Sequence, residues 1–176
     1  MKVCVFCGSS LGNDEKLVDE ARKLGKLIAE TGNDLVFGGS DCGIMSVIAH
    51  TVKDFGGKIY GVQIRKFQES GRTAGFSDYL DIVETFQERK YKLIAGSDIL
   101  ITFPGGMGTL DEFTDAFISI NFTDLNRKLV LLNLDGFYDE ILEFLDKMVE
   151  KGFLRKELLD TIIVLNNVEE VKTLLK

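Results

Sequence analysis

Asp98-Ile99-Leu100-Ile101-Thr102 runs directly into Phe103-Pro104-Gly105-Gly106-Met107-Gly108-Thr109-Leu110-Asp111-Glu112-Phe113, and this junction decides the fold class. The first five residues form an apolar run that reads as a buried strand, and the residues from Thr109 onward follow a helical pattern. Between them lie the only proline of the chain and three glycines, a strand-to-helix turn of residues with special backbone behaviour. Such a turn lets the backbone approach a ligand closely, and the unpaired N–H groups of a helix start form an anion site.

The same alternation extends in both directions. Lys2 to Phe6 reads as a strand, followed by the small-residue loop Cys7-Gly8-Ser9-Ser10 and an amphipathic helix over 14–31, with Leu17, Ala21, Leu24, Leu27 and Ile28 on one side. Leu35 to Phe37 is a second strand ending in Gly38-Gly39-Ser40, and Ile44 to Phe55 is again helical. Lys58 to Gln63 is a third strand. The polar stretch from Ile64 to Phe76, with Gly71 and Gly75, reads as a long mobile loop of the kind that covers a site. A strand over 79–83 and a helix over 86–95 lead into the opening junction. Beyond it the pattern gives a helix over 109–122, a strand over 128–133, a helix over 137–151, a strand over 162–165 and a closing helix from Val168.

Strands separated by helices pair in parallel through right-handed crossovers, which predicts an α/β fold: one Rossmann-like, doubly wound sandwich over residues 1–176, with a mainly parallel sheet flanked by helices. In such a sheet the carboxyl ends of all strands lie along one edge, where ligands bind at the switch point. The loops Gly8-Ser9-Ser10, Gly38-Gly39-Ser40 and Gly105-Gly106-Met107-Gly108 are therefore expected to line one crevice and to hold a phosphate-bearing ligand. The chain has neither G-x-G-x-x-G after its first strand nor G-x-x-x-x-G-K-[ST], which argues against a dinucleotide dehydrogenase and a P-loop NTPase.

Composition narrows the class further. At 176 residues and 45% hydrophobic the chain suits one soluble domain. It contains no apolar run near the ~20 residues of a membrane span and no signal-peptide pattern, so a cytoplasmic location and no membrane partner are expected. The net charge of −7 argues against a nucleic-acid polymer as partner, while leaving room for a small nucleotide held by backbone N–H groups. Cys4 and Cys7 form a C-x-x-C, but within a strand positions three apart face opposite sides, and nothing nearby completes a metal site. No metal and no cofactor are expected. His50, the only histidine, reads as a packed or half-exposed helical residue, which leaves little for a Ser-His-Asp mechanism.

Two charged residues admit two readings each. Thr109-x-x-Glu112 matches a capping box, which alone would account for Glu112; equally, a carboxylate one turn into a helix aimed at the crevice can orient a water or stabilise developing positive charge. Arg89 reads either as a surface partner of Glu84 or Glu88 or as a site residue.

Pro104-Gly105-Gly106-Met107-Gly108-Thr109-Leu110-Asp111-Glu112 resembles in full the P-G-G-x-G-T-x-x-E signature of the LOG family, the cytokinin riboside 5′-monophosphate phosphoribohydrolases, long labelled lysine decarboxylases. The resemblance extends over essentially the whole chain. Val5-Phe6-Cys7-Gly8-Ser9-Ser10 is similar to the family's first strand and loop, and Phe37-Gly38-Gly39-Ser40 with Gly43-Ile44-Met45 to its G-G-G-x-x-G-L-M segment. Glu88-Arg89-Lys90 falls where the family has an R-K pair, and Leu132-Asn133-Leu134-Asp135-Gly136-Phe137-Tyr138 resembles L-L-N-V-D-G-Y-Y.

The resemblance implies hydrolysis of the N-glycosidic bond of a nucleoside 5′-monophosphate to free base and ribose 5-phosphate. It implies Arg89 and Glu112 as the catalytic pair. Gly8, Ser9, Gly38, Gly39, Lys90, Gly105, Gly106, Met107, Gly108 and Thr109 are implied around the substrate and its phosphate. It also implies a homodimer, consistent with the large apolar surface of Phe113, Phe117, Ile118 and Phe122 on one helix. The chain departs from the pattern at Ser40, at Ile118-Ser119-Ile120-Asn121-Phe122-Thr123 and over 64–76, which leaves AMP or another ordinary nucleotide as open as a cytokinin nucleotide. A second expectation is a nucleotide or cofactor carrier that binds without turnover, resembling molybdenum-cofactor carriers. Pyridoxal-dependent decarboxylation lacks a lysine in a suitable context.

Overall fold

The computed structural model describes residues 1–123 and 125–175. Seven strands form one sheet in the order β4-β3-β2-β1-β5-β6-β7, and every strand pairing is parallel. They are β1 Lys2–Phe6, β2 Asp34–Phe37, β3 Ile59–Ile64, β4 Tyr79–Val83, β5 Ile99–Thr102, β6 Lys128–Leu132 and β7 Ile162–Leu165. The chain steps outward from β1 to β4, crosses back to β5 beside β1, and continues outward to β7. The direction of winding therefore reverses between β1 and β5, and a crevice opens at their carboxyl ends.

Alternation along the strands sorts the core into two layers. Val3, Val5, Leu35, Phe37, Ile99 and Ile101 pack with α1 (Glu15–Glu30) and α2 (Gly43–Asp54), whereas Cys4, Phe6, Val36, Leu100, Leu129 and Leu131 pack on the other face. That second face is covered by α4 (Phe86–Ala95), α5 (Met107–Phe122), α6 (Asp139–Glu150) and the short α7 (Lys156–Leu159). Cys4 and Cys7 lie in opposite layers, as their spacing requires, and all three cysteines are free thiols.

Four details correct the expectation from sequence. Residues 64–76 are not a loose loop: Arg65–Glu69 forms a helical turn, α3, and the stretch after it is tied to the β2 loop. Thr73 bridges Ser40, the Asp41 N–H donates to the Arg72 carbonyl at 3.0 Å, and the Ala74 N–H donates to the Gly39 carbonyl at 3.0 Å. Buried Ala74 anchors the segment. Helix α5 starts at Met107 rather than Thr109, the expected closing helix is a 3₁₀ turn over Glu169–Thr173, and α7 was not foreseen.

The turn after β5 is held from below. Asn133 Oδ1 accepts the Tyr138 N–H at 2.7 Å, and the buried Tyr138 hydroxyl donates to the Phe103 carbonyl at 2.9 Å, at the mouth of the glycine turn. Substituting Tyr138→Phe leaves that carbonyl without its donor. The expected result is a loss of about 1–3 kcal/mol in stability, read as a lower denaturant midpoint at unchanged slope.

Candidate active site

At the switch point, residues from the ends of β1, β2, β3 and β5 line a crevice of about 560 Å³. Close backbone approach closes its walls. A Cβ on Gly105 would collide with the Thr109 side chain and stand 2.9 Å from the Gly8 nitrogen, so the β1 and β5 loops touch only because this position is glycine. A Cβ on Gly38 would occupy the place of the Arg89 guanidinium.

The two helix starts beside the crevice differ. Helix α2 has its first donors occupied by the β1 loop, since the Ile44 N–H donates to the Ser10 carbonyl at 3.4 Å and the Met45 N–H to the Gly8 carbonyl at 3.3 Å. Helix α5 has Gly106 as its N-cap and no side chain accepting from its first turn. Its leading residues, Gly106, Met107, Gly108 and Thr109, all line the crevice. The positive end of the α5 dipole and its unpaired N–H groups thus face the cavity, the arrangement that binds an anionic group.

Arg89 and Glu112 meet on the crevice wall. Arg89 is 9% exposed and Glu112 8%. Arg89 donates from one terminal nitrogen to Glu112 Oε1 at 2.5 Å, from Nε to the Val62 carbonyl at 3.0 Å, and from the other terminal nitrogen to the Gly38 carbonyl at 3.2 Å. Three elements therefore orient one guanidinium: β3, the β2 loop and α5. Burial pushes the Glu112 carboxyl above its ordinary value, and the Arg89 charge beside it opposes the shift.

The capping reading of Glu112 is overturned. With Gly106 as N-cap, Glu112 lies beyond the first turn and cannot serve as a capping-box partner; its side chain turns to Arg89 instead. The capping box belongs to α4, where Thr85 accepts the Glu88 N–H at 3.2 Å and Glu88 accepts the Glu84 and Thr85 N–H groups. That pairing, with Glu84 bound to Arg65 at 2.6 Å, also overturns the surface reading of Arg89. The T-x-x-E pattern was present at both places in the sequence, and only the helix start distinguishes them.

Of the residues expected around a substrate, Gly8, Ser9, Gly38, Gly106, Met107, Gly108 and Thr109 line the crevice with Arg89 and Glu112. Gly39 and Gly105 are not among the lining residues. Lys90 is not among the lining residues: its ammonium pairs with Asp111 at 2.9 Å and Asp115 at 3.7 Å on α5. Ser40 lines the crevice as its loop was expected to, whereas the sequence reading missed Cys42, Met45, Gln63, Phe67 and Arg72, which complete the wall from the start of α2, β3 and α3. Burial pushes the Cys7 thiol far above its ordinary range, which makes it a poor nucleophile.

The chain is similar to known proteins in sequence and in fold. A family model described as "Possible lysine decarboxylase" matches residues 45–175. The chain is 35% identical over 156 residues to the cytokinin riboside 5′-monophosphate phosphoribohydrolase LOG of Oryza sativa subsp. japonica, covering 89% of this chain and 64% of that protein. It thus spans less than two thirds of that relative's length. It is 33% identical over 175 residues to the cytokinin riboside 5′-monophosphate phosphoribohydrolase LOG2 of Arabidopsis thaliana, covering 99% of this chain and 82% of the relative. Among solved structures, the molybdenum cofactor carrier protein of Chlamydomonas reinhardtii superposes with a TM-score of 0.74 at 21% identity over 98% of this chain and 94% of that one, a likeness of fold.

The buried pair makes a thermodynamic prediction. Removing either partner leaves a desolvated charge alone, so Arg89→Ala and Glu112→Ala are each expected to destabilise the protein by about 3–5 kcal/mol. The double variant is expected to lose clearly less than the sum, and urea unfolding of all four proteins reads the coupling.

Proposed function

This chain belongs to the LOG family, the cytokinin riboside 5′-monophosphate phosphoribohydrolases, and from that premise we propose that it hydrolyses the N-glycosidic bond of a nucleoside 5′-monophosphate. The products are free base and ribose 5-phosphate. The observation that carries the reading is the position of Glu112. It is buried, oriented by Arg89, and five residues inside a helix whose first residues line the same crevice. Five residues of helix advance about 7–8 Å along the axis. That separation suits a 5′-phosphate on the α5 N–H groups with C1′ beside the carboxylate.

The chemistry follows from those placements. As the C1′–N bond lengthens, its electron pair passes to the base and positive charge develops on the ribose, which the Glu112 carboxylate stabilises. Glu112 also accepts a hydrogen bond from the attacking water, whose oxygen forms the new bond to C1′; the departing base takes up a proton. Arg89 is a positioning residue in this scheme. Its donors on Val62, Gly38 and Glu112 fix the carboxylate, and its permanent charge favours the ionised form. Among the described residues no lysine lines the crevice, and Lys90 is paired with α5 carboxylates, so a Schiff-base decarboxylase finds no support in these residues.

We further propose a homodimer. Phe113 and Phe117 are buried in the core, a correction to the apolar surface expected of α5, but Ile118 and Phe122 remain 52% and 61% exposed toward its end. Sedimentation as a monomer at micromolar concentration would count against it.

The test is incubation with a panel of nucleoside 5′-monophosphates and isopentenyladenosine monophosphate, with chromatography for free base. Release of base from at least one supports hydrolysis; binding without release from any supports a carrier instead. Glu112→Gln is expected to lower kcat by about 10²–10⁴-fold with binding retained. Because burial raises the Glu112 pKa and the ionised form is the active one, the rising limb of kcat against pH is expected above the ordinary carboxylate value of 4.5. It should be absent from the residual activity of Glu112→Gln.

A further inference from the structure

The crevice departs from the charge of the molecule around it. The chain carries a net charge of −7, yet the charged side chains among the described residues lining the crevice are Arg72, Arg89 and Glu112. Arg89 and Glu112 neutralise each other, and Lys90 is turned to Asp111 and Asp115. Helix α5 offers backbone N–H groups and a partial charge of about half an elementary unit. A phosphate monoester carries between one and two full negative charges at neutral pH. Arg72 is the full positive charge on the crevice wall that no carboxylate holds among the described residues.

The backbone fixes where that charge stands. Arg72 follows α3 in the segment between β3 and β4. Its N–H donates to the Phe67 carbonyl at 3.1 Å, and its carbonyl accepts the Asp41 N–H at 3.0 Å and the Ser40 hydroxyl at 3.1 Å. Three hydrogen bonds thus fasten residue 72 to α3 and to the β2 loop, while the residue stays exposed at the crevice. Neighbouring carboxylates are engaged elsewhere. Asp41 Oδ1 accepts the Ser46 hydroxyl at 2.6 Å and lies 3.2 Å from His50 Nε2, and Glu84 holds Arg65 at 2.6 Å. The Arg72 guanidinium carbon stands 5.9 Å from the centre of the Phe67 ring, a cation–π contact that engages no acceptor.

Resting on the reading of a phosphate-bearing ligand above, we propose that Arg72 is a ligand-binding residue that captures that ligand by charge. An uncompensated cation in a crevice draws anions in and raises their local concentration. The attraction acts along the crevice rather than by contact with the phosphate: β3 and β5 are three strands apart, about 14 Å at ~4.8 Å per strand. Arg72 therefore sets how tightly the phosphorylated ligand is held. It takes no part in the bond cleavage at Glu112 and makes no choice among bases.

The experiment measures equilibrium binding of ribose 5-phosphate and of adenosine to the wild-type protein, Arg72→Lys, Arg72→Gln and Arg72→Glu, at about 10 mM and about 500 mM salt. In parallel, base release from AMP and isopentenyladenosine monophosphate gives KM and kcat. At low salt Arg72→Gln is expected to weaken ribose 5-phosphate about three- to tenfold and Arg72→Glu more, with Arg72→Lys close to wild type. These differences should fall below about twofold at high salt, where charges are screened within ~4 Å. Adenosine, which has no phosphate, should not distinguish the four proteins, and Arg72→Gln should raise KM with kcat within about twofold of wild type. An Arg72→Gln protein with undiminished affinity for ribose 5-phosphate, a loss shared by Arg72→Lys, or an equal loss for adenosine overturns the proposal. So does a wild-type protein that binds no ribose 5-phosphate. The two readings fail separately. The expected ribose 5-phosphate pattern without base release leaves the role of Arg72 standing and removes hydrolysis, whereas base release with ribose 5-phosphate indifferent to residue 72 does the reverse.

Discussion

A guanidinium and a carboxylate, both about nine-tenths buried, cannot share a protein wall unless each satisfies the other and their remaining hydrogen-bonding groups are met. That constraint links α4, which carries Arg89, to α5, which carries Glu112, and ties both to the Val62 and Gly38 carbonyls of neighbouring strands. It also accounts for Gly38, where any side chain would displace the guanidinium. The pair is assembled by the fold itself. The orienting of the carboxylate is complete before a ligand enters, so little reorganisation remains for the reacting state.

Around this pair the three small-residue loops perform different tasks. The β1 loop closes the start of α2 through the Gly8 and Ser10 carbonyls, and the β2 loop supplies an acceptor for Arg89. Only the β5 turn leaves a helix start open to the crevice. The polar parts of the cavity are thereby distinguished: anion-binding backbone at the α5 start and a fixed carboxylate beside it, with Gln63 and Arg72 lining the β3 end. A molecule with a phosphate and a sugar matches this order.

The architecture was legible because strand and helix periodicities alternate cleanly from Lys2 to Leu165, and parallel crossovers leave few topologies. The signature from Pro104 to Glu112 was legible as a ligand-binding turn for the same reason. The role of Glu112 was not, because T-x-x-E reads as a cap wherever the helix start is uncertain by two residues, and the start at Met107 decides the matter. Residues 64–76 were misread because a polar, glycine-bearing stretch gives no periodic signal. What orders it is pairing with the distant Ser40 and Gly39 backbone, a contact no local pattern records. Gln63 and Arg72 escaped notice for a related reason: strand order, unknown from sequence, brings β3 to the crevice. Lys90 was placed by adjacency to Arg89, but successive residues on a helix point about 100° apart, and this one faces Asp111.

The central claim is that one ligand spans from the α5 start, past Glu112, to the end of β3. A crystal structure of the Glu112→Gln protein with a bound nucleoside 5′-monophosphate tests it most directly. The predicted result has the phosphate on the N–H groups of Met107 and Gly108 and C1′ beside the side chain of residue 112. A phosphate bound elsewhere, or a ribose turned away from residue 112, would contradict the account.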